Sequence, residues 1–260
     1  GLDIEVRYRD EDIEGVFKPL VRHWSAAQRR LGGRYIVLMS APPGSGKTTL
    51  SLCLAQLSHD TDGCVPIQAI GMDGYHYPNA YLDSHTYVED GETITLRSRK
   101  GAPFTYDVAG LRAKLADARG ERPTPWPEYS RVLHDVVPGA MEITGDILLV
   151  EGNYFQIGEG AWTDIGKLAD ETVYISAPMG LLRDRLVVRK LRQRPGSNGR
   201  TTRTSVACSR GTCPPTSSSR SARTGATRSR RAPSCWQGTH AIRVKQKARK
   251  KAKGDDPPGR

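Results

Sequence analysis

Residues 35–50 read YIVLMSAPPGSGKTTL. The run Tyr35-Ile36-Val37-Leu38-Met39 is apolar and rich in strand formers, as expected of a buried strand. Ser40 to Gly46 supplies a glycine-containing turn, and Lys47-Thr48-Thr49 opens a helical pattern. This is the spacing of a phosphate-binding loop with one variation, since Ala41 stands where the strict pattern has its first glycine.

Each residue type in the turn has a chemical reason. Glycines let backbone N–H groups converge on a polyphosphate without a Cβ in the way. The helix start adds unpaired N–H donors and the positive end of the helix dipole. Pro43, Gly44, Ser45, Gly46, Lys47, Thr48 and Thr49 are therefore the nucleotide-binding candidates. Lys47 is expected on the β- and γ-phosphates and the Thr48 hydroxyl on Mg²⁺. Thr49 reads more as a helix residue than as a ligand.

Around this loop the chain alternates strands and helices. Ile13, Val16, Phe17, Leu20, Val21 and Trp24 have helical spacing, so residues 1–33 read as an amphipathic N-terminal helix ended by Gly32-Gly33. Residues 64–70 (CVPIQAI) form a candidate strand leading into Asp73-Gly74. On residue type alone that pair reads as a turn, although ligands in open parallel sheets bind beyond strand carboxyl ends. Residues 81–105 look polar and irregular. Asp107 is a natural cap for a helix over 107–119 carrying Val108, Leu111 and Leu115. Pro123, Pro125 and Pro127 force an extended segment. Ile147 to Val150 is a continuous apolar strand with Glu151 at its carboxyl end, where an acid beside the loop holds the metal. Residues 171–176 give another strand. Met179 to Arg192 gives a helix with Leu181, Leu182, Leu186 and Val187 on its apolar side and arginines, including Arg185 and Arg189, elsewhere. Those arginines are either a solvated face or a cationic cover over a triphosphate. The alternation predicts an α/β three-layer fold of the P-loop NTPase kind, with a mainly parallel central sheet.

Composition narrows the function classes. The net charge is +11, but residues 194–260 hold 17 Lys and Arg against two acids, leaving 22 basic and 26 acidic residues elsewhere. The basicity belongs to the tail, so nucleic-acid binding is expected only non-specifically through it. That tail has one large aromatic, Trp236, for base stacking. No Asn-Lys-x-Asp guanine motif supports a regulatory GTPase. The five cysteines make neither a disulfide framework nor a zinc site. No apolar run approaches the ~18 residues of a membrane span, and the N-terminus is charged, so a soluble cytoplasmic protein is expected.

Five pieces in order, APPGSGKTT (41–49), MDGYHYPNAYL (72–82), RKGAPFTYDVAGL (99–111), PEYSRVLHDVVPG (127–139) and ILLVEGNYF (147–155), resemble the phosphoribulokinase, uridine kinase and pantothenate kinase superfamily. They look most like its bacterial pantothenate-kinase-like group, often labelled nucleoside or fructose kinases. The resemblance spans residues 30–192. It implies an ATP- and Mg²⁺-dependent kinase acting on a hydroxyl of a small metabolite such as pantothenate, a nucleoside or a sugar. By that likeness Asp73 is the general base, overriding the plain turn reading. Glu151 is the acid near Mg²⁺, and Lys47 completes the catalytic set. Tyr77, Tyr129, Arg131 and His134 line or border the acceptor pocket. Arg185 and Arg189 match the cationic lid helix. Such kinases commonly dimerise. A nucleotide-binding regulatory protein associated with nucleic acid, or a catalytically impaired kinase remnant, are the competing readings.

The resemblance stops abruptly. Residues 194–235 contain no Ile, Leu, Phe, Met or Tyr and are dominated by Ser, Thr, Arg, Gly and Pro. Such a segment buries too little apolar surface to order itself. In relatives, by the same likeness, this region supplies part of the adenine site. A native disordered tail is one explanation, and a reading-frame shift past codon 192 better matches the abruptness. Translating the coding DNA in the other two frames beyond that codon then restores helix and strand patterns; if neither frame does, the frame-shift reading fails.

Overall fold

The computed structural model describes residues 3–120, 122–192 and 239–245. They belong to two units, one of residues 1–16 with 202–260 and one of residues 17–201. In the first, strand β1 (Asp3–Arg9) pairs antiparallel with a strand at Thr239–Lys245, from Asp3 opposite Lys245 to Arg9 opposite Thr239.

The larger unit begins with helix α1 (Lys18–Leu31), which ends on Gly32 in the left-handed conformation (φ 72°). Strand β2 (Tyr35–Ser40), helix α2 (Lys47–Asp60) and strand β3 (Ile67–Gly71) follow. Next come a short helix α3 (Asn79–Ser84) and a hairpin of β4 (Thr86–Glu89) and β5 (Glu92–Thr95). Helix α4 (Val108–Asp117) leads to a second hairpin, β6 (Thr124–Ser130) and β7 (Asp135–Ile143). Strands β8 (Ile147–Gly152) and β9 (Glu171–Tyr174) and helix α5 (Met179–Arg192) complete it.

The central sheet is parallel, in the order β3-β8-β2-β9. All six residues of β2 and all six of β8 are buried, as expected of strands covered on both faces. Successive side chains alternate between the faces. Ile36, Leu38, Leu148 and Val150 join one core with Val108, Leu111 and Leu115 of α4, Trp126 of β6, Phe155 and Trp162. On the other side, α2 contacts β3, β8 and α1, burying Cys53, Leu54, Trp24 and Val21. This is a three-layer arrangement. Each fully buried Leu, Ile or Val stabilises it by roughly 1.5–3 kcal/mol. The Cys53 thiol is a core group, pushed up to about 12 by burial.

Register places the chemistry. Met39 of β2 and Gly71 of β3 both stand level with Glu151 of β8. The loop after β2, the turn after β3 and Glu151 therefore share the carboxyl end of the sheet, where open parallel sheets bind ligands.

Several expectations are corrected. Residues 3–9, expected in an N-terminal helix, form β1 instead. Residues 81–105 are not irregular but hold part of α3 and the β4–β5 hairpin. Asp90 (φ 51°) and Gly91 (φ 83°) make the two-residue turn of that hairpin, the left-handed pair such loops require. Strand β7 was not expected. On α5 only Leu182 of the expected apolar residues is buried, while Leu186 and Val187 are 37% and 50% exposed. The basic tail expected over residues 194–260 lies outside the described residues except for the strand at Thr239–Lys245. Among the described residues no helix is long and apolar enough to cross a membrane.

The β6–β7 hairpin docks on the turn Met72–Tyr75 through an irregularity between Trp126 and Glu128. Trp126 Nε1 donates to the Gly71 carbonyl (2.9 Å), and the Tyr75 ring meets Trp126 edge-on at 4.9 Å. A Cβ on Gly74 would lie 2.1 Å from the Pro127 carbonyl oxygen. Gly74→Ala is therefore expected to destabilise the protein by about 1–3 kcal/mol, read as a lower urea midpoint. An unchanged midpoint would show that the hairpin does not rest on this turn.

Candidate active site

The phosphate loop runs from Ala41 to Gly46, with Gly44 and Gly46 at φ 84° and 90°, a region costly for side chains other than glycine. Gly46 caps α2, and open space surrounds its would-be Cβ. Pro43 is exposed at the turn, and Thr49 sits half-buried in the first turn of α2, a helix residue as read from sequence. Ser45 Oγ is shielded from solvent and has no hydrogen-bond partner among the described residues.

Glu151 is the centre of the site. It is 7% exposed. Thr48 Oγ1 donates to its Oε1 at 2.7 Å, and Lys47 Nζ lies 3.9 Å from its Oε2. Burial pushes the Glu151 carboxyl up from the usual range; the Lys47 charge opposes this, Asp73 adds to it, and the Thr48 hydrogen bond and Arg131 oppose it. The lysine and threonine of the loop thus meet the acid of β8, and Asp73 is near enough to act on the same carboxylate.

Asp73 sits in the 3₁₀ turn Met72–Tyr75, immediately beyond β3. Its carbonyl accepts a hydrogen bond from His76 Nδ1 at 2.7 Å. A carbonyl only accepts, so Nδ1 carries the proton and Nε2 is left with the lone pair. Burial holds the His76 imidazole below its ordinary range, against the opposing pull of Asp73. The ring packs at a tilt against Tyr106 (centroids 4.0 Å, 37° between planes) and Tyr129 (5.2 Å, 48°).

The acceptor-side residues separate on inspection. Tyr129 stands beside His76 with the Lys100 ammonium 4.8 Å from its ring centre. Arg131, in the turn between β6 and β7, lies within electrostatic reach of both Glu151 and Tyr129. His134 enters through its backbone: its carbonyl accepts from Asn79 Nδ2 (3.1 Å) and Lys100 Nζ (2.9 Å), while its side chain is exposed. Tyr77 stacks on Tyr81 at 4.3 Å, and Tyr81 on His85 at 3.7 Å, so its ring partner is α3 and not the Asp73 turn. Arg185 Nη1 approaches the Gly44 and Ser45 carbonyls at 3.4 Å each. Arg189 is exposed on the same helix.

Sequence reasoning missed His76, Tyr106, Arg97, Lys100 and Asn79. His76 and Asn79 lie within DGYHYPN, and Lys100 within RKGAPF, so they belong to stretches that carry the family resemblance.

The donors suit a hard divalent cation. A hydroxyl and a carboxylate oxygen fit Mg²⁺, which uses one or two protein ligands and takes the rest from phosphate and water. Among the described residues no group of three or more His, Cys, Asp and Glu side chains could hold a metal by itself.

No protein-family model matches the chain. The chain is 37% identical over 193 residues to the uncharacterized protein YggC of Escherichia coli K12, covering 74% of this chain and 77% of that protein. It is 30% identical over 166 residues to a provisionally named uridine kinase, C227.14, of Schizosaccharomyces pombe, covering 61% of this chain and 67% of that protein. The pantothenate kinase of Actinobacillus succinogenes is 28% identical over 204 residues; the match takes in 71% of this chain and 62% of that enzyme. Among solved structures, a provisionally assigned fructose transport system kinase from Silicibacter sp. TM1040 matches with a TM-score of 0.57 and 31% identity, over 68% of this chain and 82% of that one.

The raised Glu151 carboxyl carries a stability consequence. An acid whose folded pKa is raised loses its proton more readily when unfolded, so it weakens folding as pH rises through the carboxylate range. Glu151→Gln removes that cost. The ligand-free variant should melt above the parent at about pH 8, with the gain vanishing below the unfolded glutamate pKa of about 4.3. Thermal melts across pH check this; a gain that grows on acidification would be the wrong sign.

Proposed function

The chain belongs to the phosphoribulokinase, uridine kinase and pantothenate kinase superfamily of P-loop kinases, and from that premise we propose that it transfers the γ-phosphoryl group of ATP to a hydroxyl of a small metabolite. One observation carries the reading: Lys47 and Thr48 of the loop both meet Glu151, and Asp73 acts on that same buried carboxylate.

The magnesium nucleotide supplies the transferable group and a divalent charge beside it. Thr48 and Glu151 are the residues that would hold the metal, and the Gly44–Lys47 backbone the phosphates. Lys47 balances negative charge at the loop, with Arg185 next to it and Arg189 on the same helix. Asp73 accepts the proton of the acceptor hydroxyl at a carboxylate oxygen. A general base without unusual basicity suffices, because positioning and charge stabilisation dominate such transfers. The His76 bond to the Asp73 carbonyl fixes the turn that carries this base. Tyr106 and Tyr129 wall the same space and help keep water from competing for the phosphoryl group. Arg131 lies within electrostatic reach of Glu151 and adds positive charge there. Tyr77 and the His134 backbone support the wall from α3 and the hairpin turn.

Asp73→Asn is expected to lower acceptor-dependent turnover by roughly 10²–10⁴-fold, while Mg-ATP still raises the melting temperature as in the parent. Purified protein, labelled ATP and a panel of hydroxyl acceptors make the measurement. Hydrolysis that ignores both the acceptor and this substitution would sink the kinase reading.

A further inference from the structure

Helix α5 presents two sides with different surroundings. Its inner side lies on the phosphate loop, where Leu182 is buried and Arg185 Nη1 approaches the Gly44 and Ser45 carbonyls. Its outer side carries Val187, Val188 and Leu191, all exposed. At about 100° per residue these three fall within an arc of roughly 100° centred opposite Leu182. They form one stripe, since Leu191 follows Val188 by three residues and Val187 by four. Arg183 and Lys190 border the stripe on one side. Both are exposed, and neither makes an ion pair among the described residues.

The chemistry of this face selects among partners. The chain that follows the helix offers little apolar cover, because residues 194–235 contain no Ile, Leu, Phe, Met or Tyr. An isologous contact with a second copy brings the same cations to both sides, and like charges across an interface are costly. Nucleic acid would meet the cations but leave three aliphatic side chains in a polar, wet interface. An anionic lipid surface matches both features, with acyl chains for the stripe and headgroups for the cations beside it. Residues 194–260, joined to the helix, add 17 Lys and Arg against two acids to the attraction. Among the described residues no helix is long and apolar enough to cross a membrane. Lying on one asks instead for a basic helix with an apolar stripe.

We propose that the outer face of α5 binds an anionic lipid surface, with Val187, Val188 and Leu191 entering the headgroup boundary and Arg183 and Lys190 meeting headgroup phosphates. The acid on this face is Asp184, exposed one turn before the stripe. Contact is therefore made by the C-terminal half of the helix, and Asp184 works against it. The Leu182 and Arg185 contacts keep the inner side seated on the loop, so the stripe is presented without rearranging the fold. The inference goes beyond the phosphoryl-transfer reading and does not depend on it.

The test is flotation of the full chain with two kinds of vesicle. One is phosphatidylcholine alone, and the other contains about one-third phosphatidylglycerol. The anionic vesicles should be bound roughly tenfold or more tightly than the neutral ones. Val187→Ser combined with Leu191→Ser leaves every charge in place and should weaken anionic-vesicle binding roughly tenfold. Arg183→Gln and Lys190→Gln should each weaken it roughly fivefold, and Asp184→Asn should tighten it. Circular dichroism checks that each variant is folded. Should the double variant not fold, Val188→Ser decides in the same direction. Absence of a preference for anionic vesicles overturns the proposal. Binding that ignores the stripe substitutions overturns it too, since the charge beyond Arg194 would then suffice. So does a stripe-dependent dimer in sedimentation equilibrium without vesicle binding, which gives the face to a second copy. Stripe-dependent binding of a duplex RNA in place of vesicles has the same consequence.

Discussion

A buried carboxylate hydrogen-bonded by the phosphate loop is the constraint on which the site depends. Glu151 sits at the carboxyl end of a strand whose six residues are all buried. Leaving a charge there without partners would be costly. Its partners are Thr48 at 2.7 Å and Lys47 at 3.9 Å. They can reach it because β2 and β8 are adjacent and parallel, with Met39 level with Glu151. The pairing of β8 with β3 on its other side brings the Asp73 turn to the same height. Strand order and register thus bring the carboxylates and the lysine together, and no single loop does so alone.

The second layer of control is aromatic. Trp126, Tyr75, Tyr106, Tyr129 and His76 enclose the turn that carries Asp73. Gly74 lets the β6–β7 hairpin press against that turn, and the same hairpin presents Tyr129 and Arg131. Packing and recognition therefore use one element: the hairpin that stabilises the base also supplies the wall of the acceptor side. A change made for stability at Pro127 or Trp126 is felt at the site.

What was legible in the sequence follows from the range of each signal. The strand–loop–helix at 35–60 and the strand at 147–152 are local patterns, and both stand as read. Glu151 was readable because the end of a buried strand beside a phosphate loop has few uses for an acid. The β4–β5 hairpin was missed although Asp90-Gly91 marks its turn, because the flanking residues are polar and exposed and carry no core-facing alternation. Strand β7 was missed for a related reason: Pro138 and Gly139 interrupt it, and its pairing with β6 is not a local property. Lys100 and Arg97 escaped attention because a lysine or arginine in a polar loop looks solvated until the loop is folded against a tyrosine. His134 was singled out as a side chain, yet its contribution runs through a carbonyl exposed by a left-handed backbone (φ 51°), which no residue pattern reports.

Helix α5 shows how far the family pattern holds. Its inner side is committed to the loop: Leu182 is buried, Arg185 approaches two loop carbonyls, and a Cβ on Gly44 would meet the Leu182 carbonyl and the Leu186 side chain at 3.2 Å. That glycine is thus required twice, once for its φ of 84° and once for the close passage of the helix. The outer side behaves differently. Val187, Val188 and Leu191 are 50%, 45% and 54% exposed, at the point where the sequence turns to Ser, Thr and Arg. An apolar stripe along a helix is the mark of a face selected for burial. The exposed stripe and the lost motif pattern coincide within a few residues. The loop, both acids and the cations around Tyr129 all precede that break, so the chemistry argued here draws on the part of the chain where sequence pattern and packing agree.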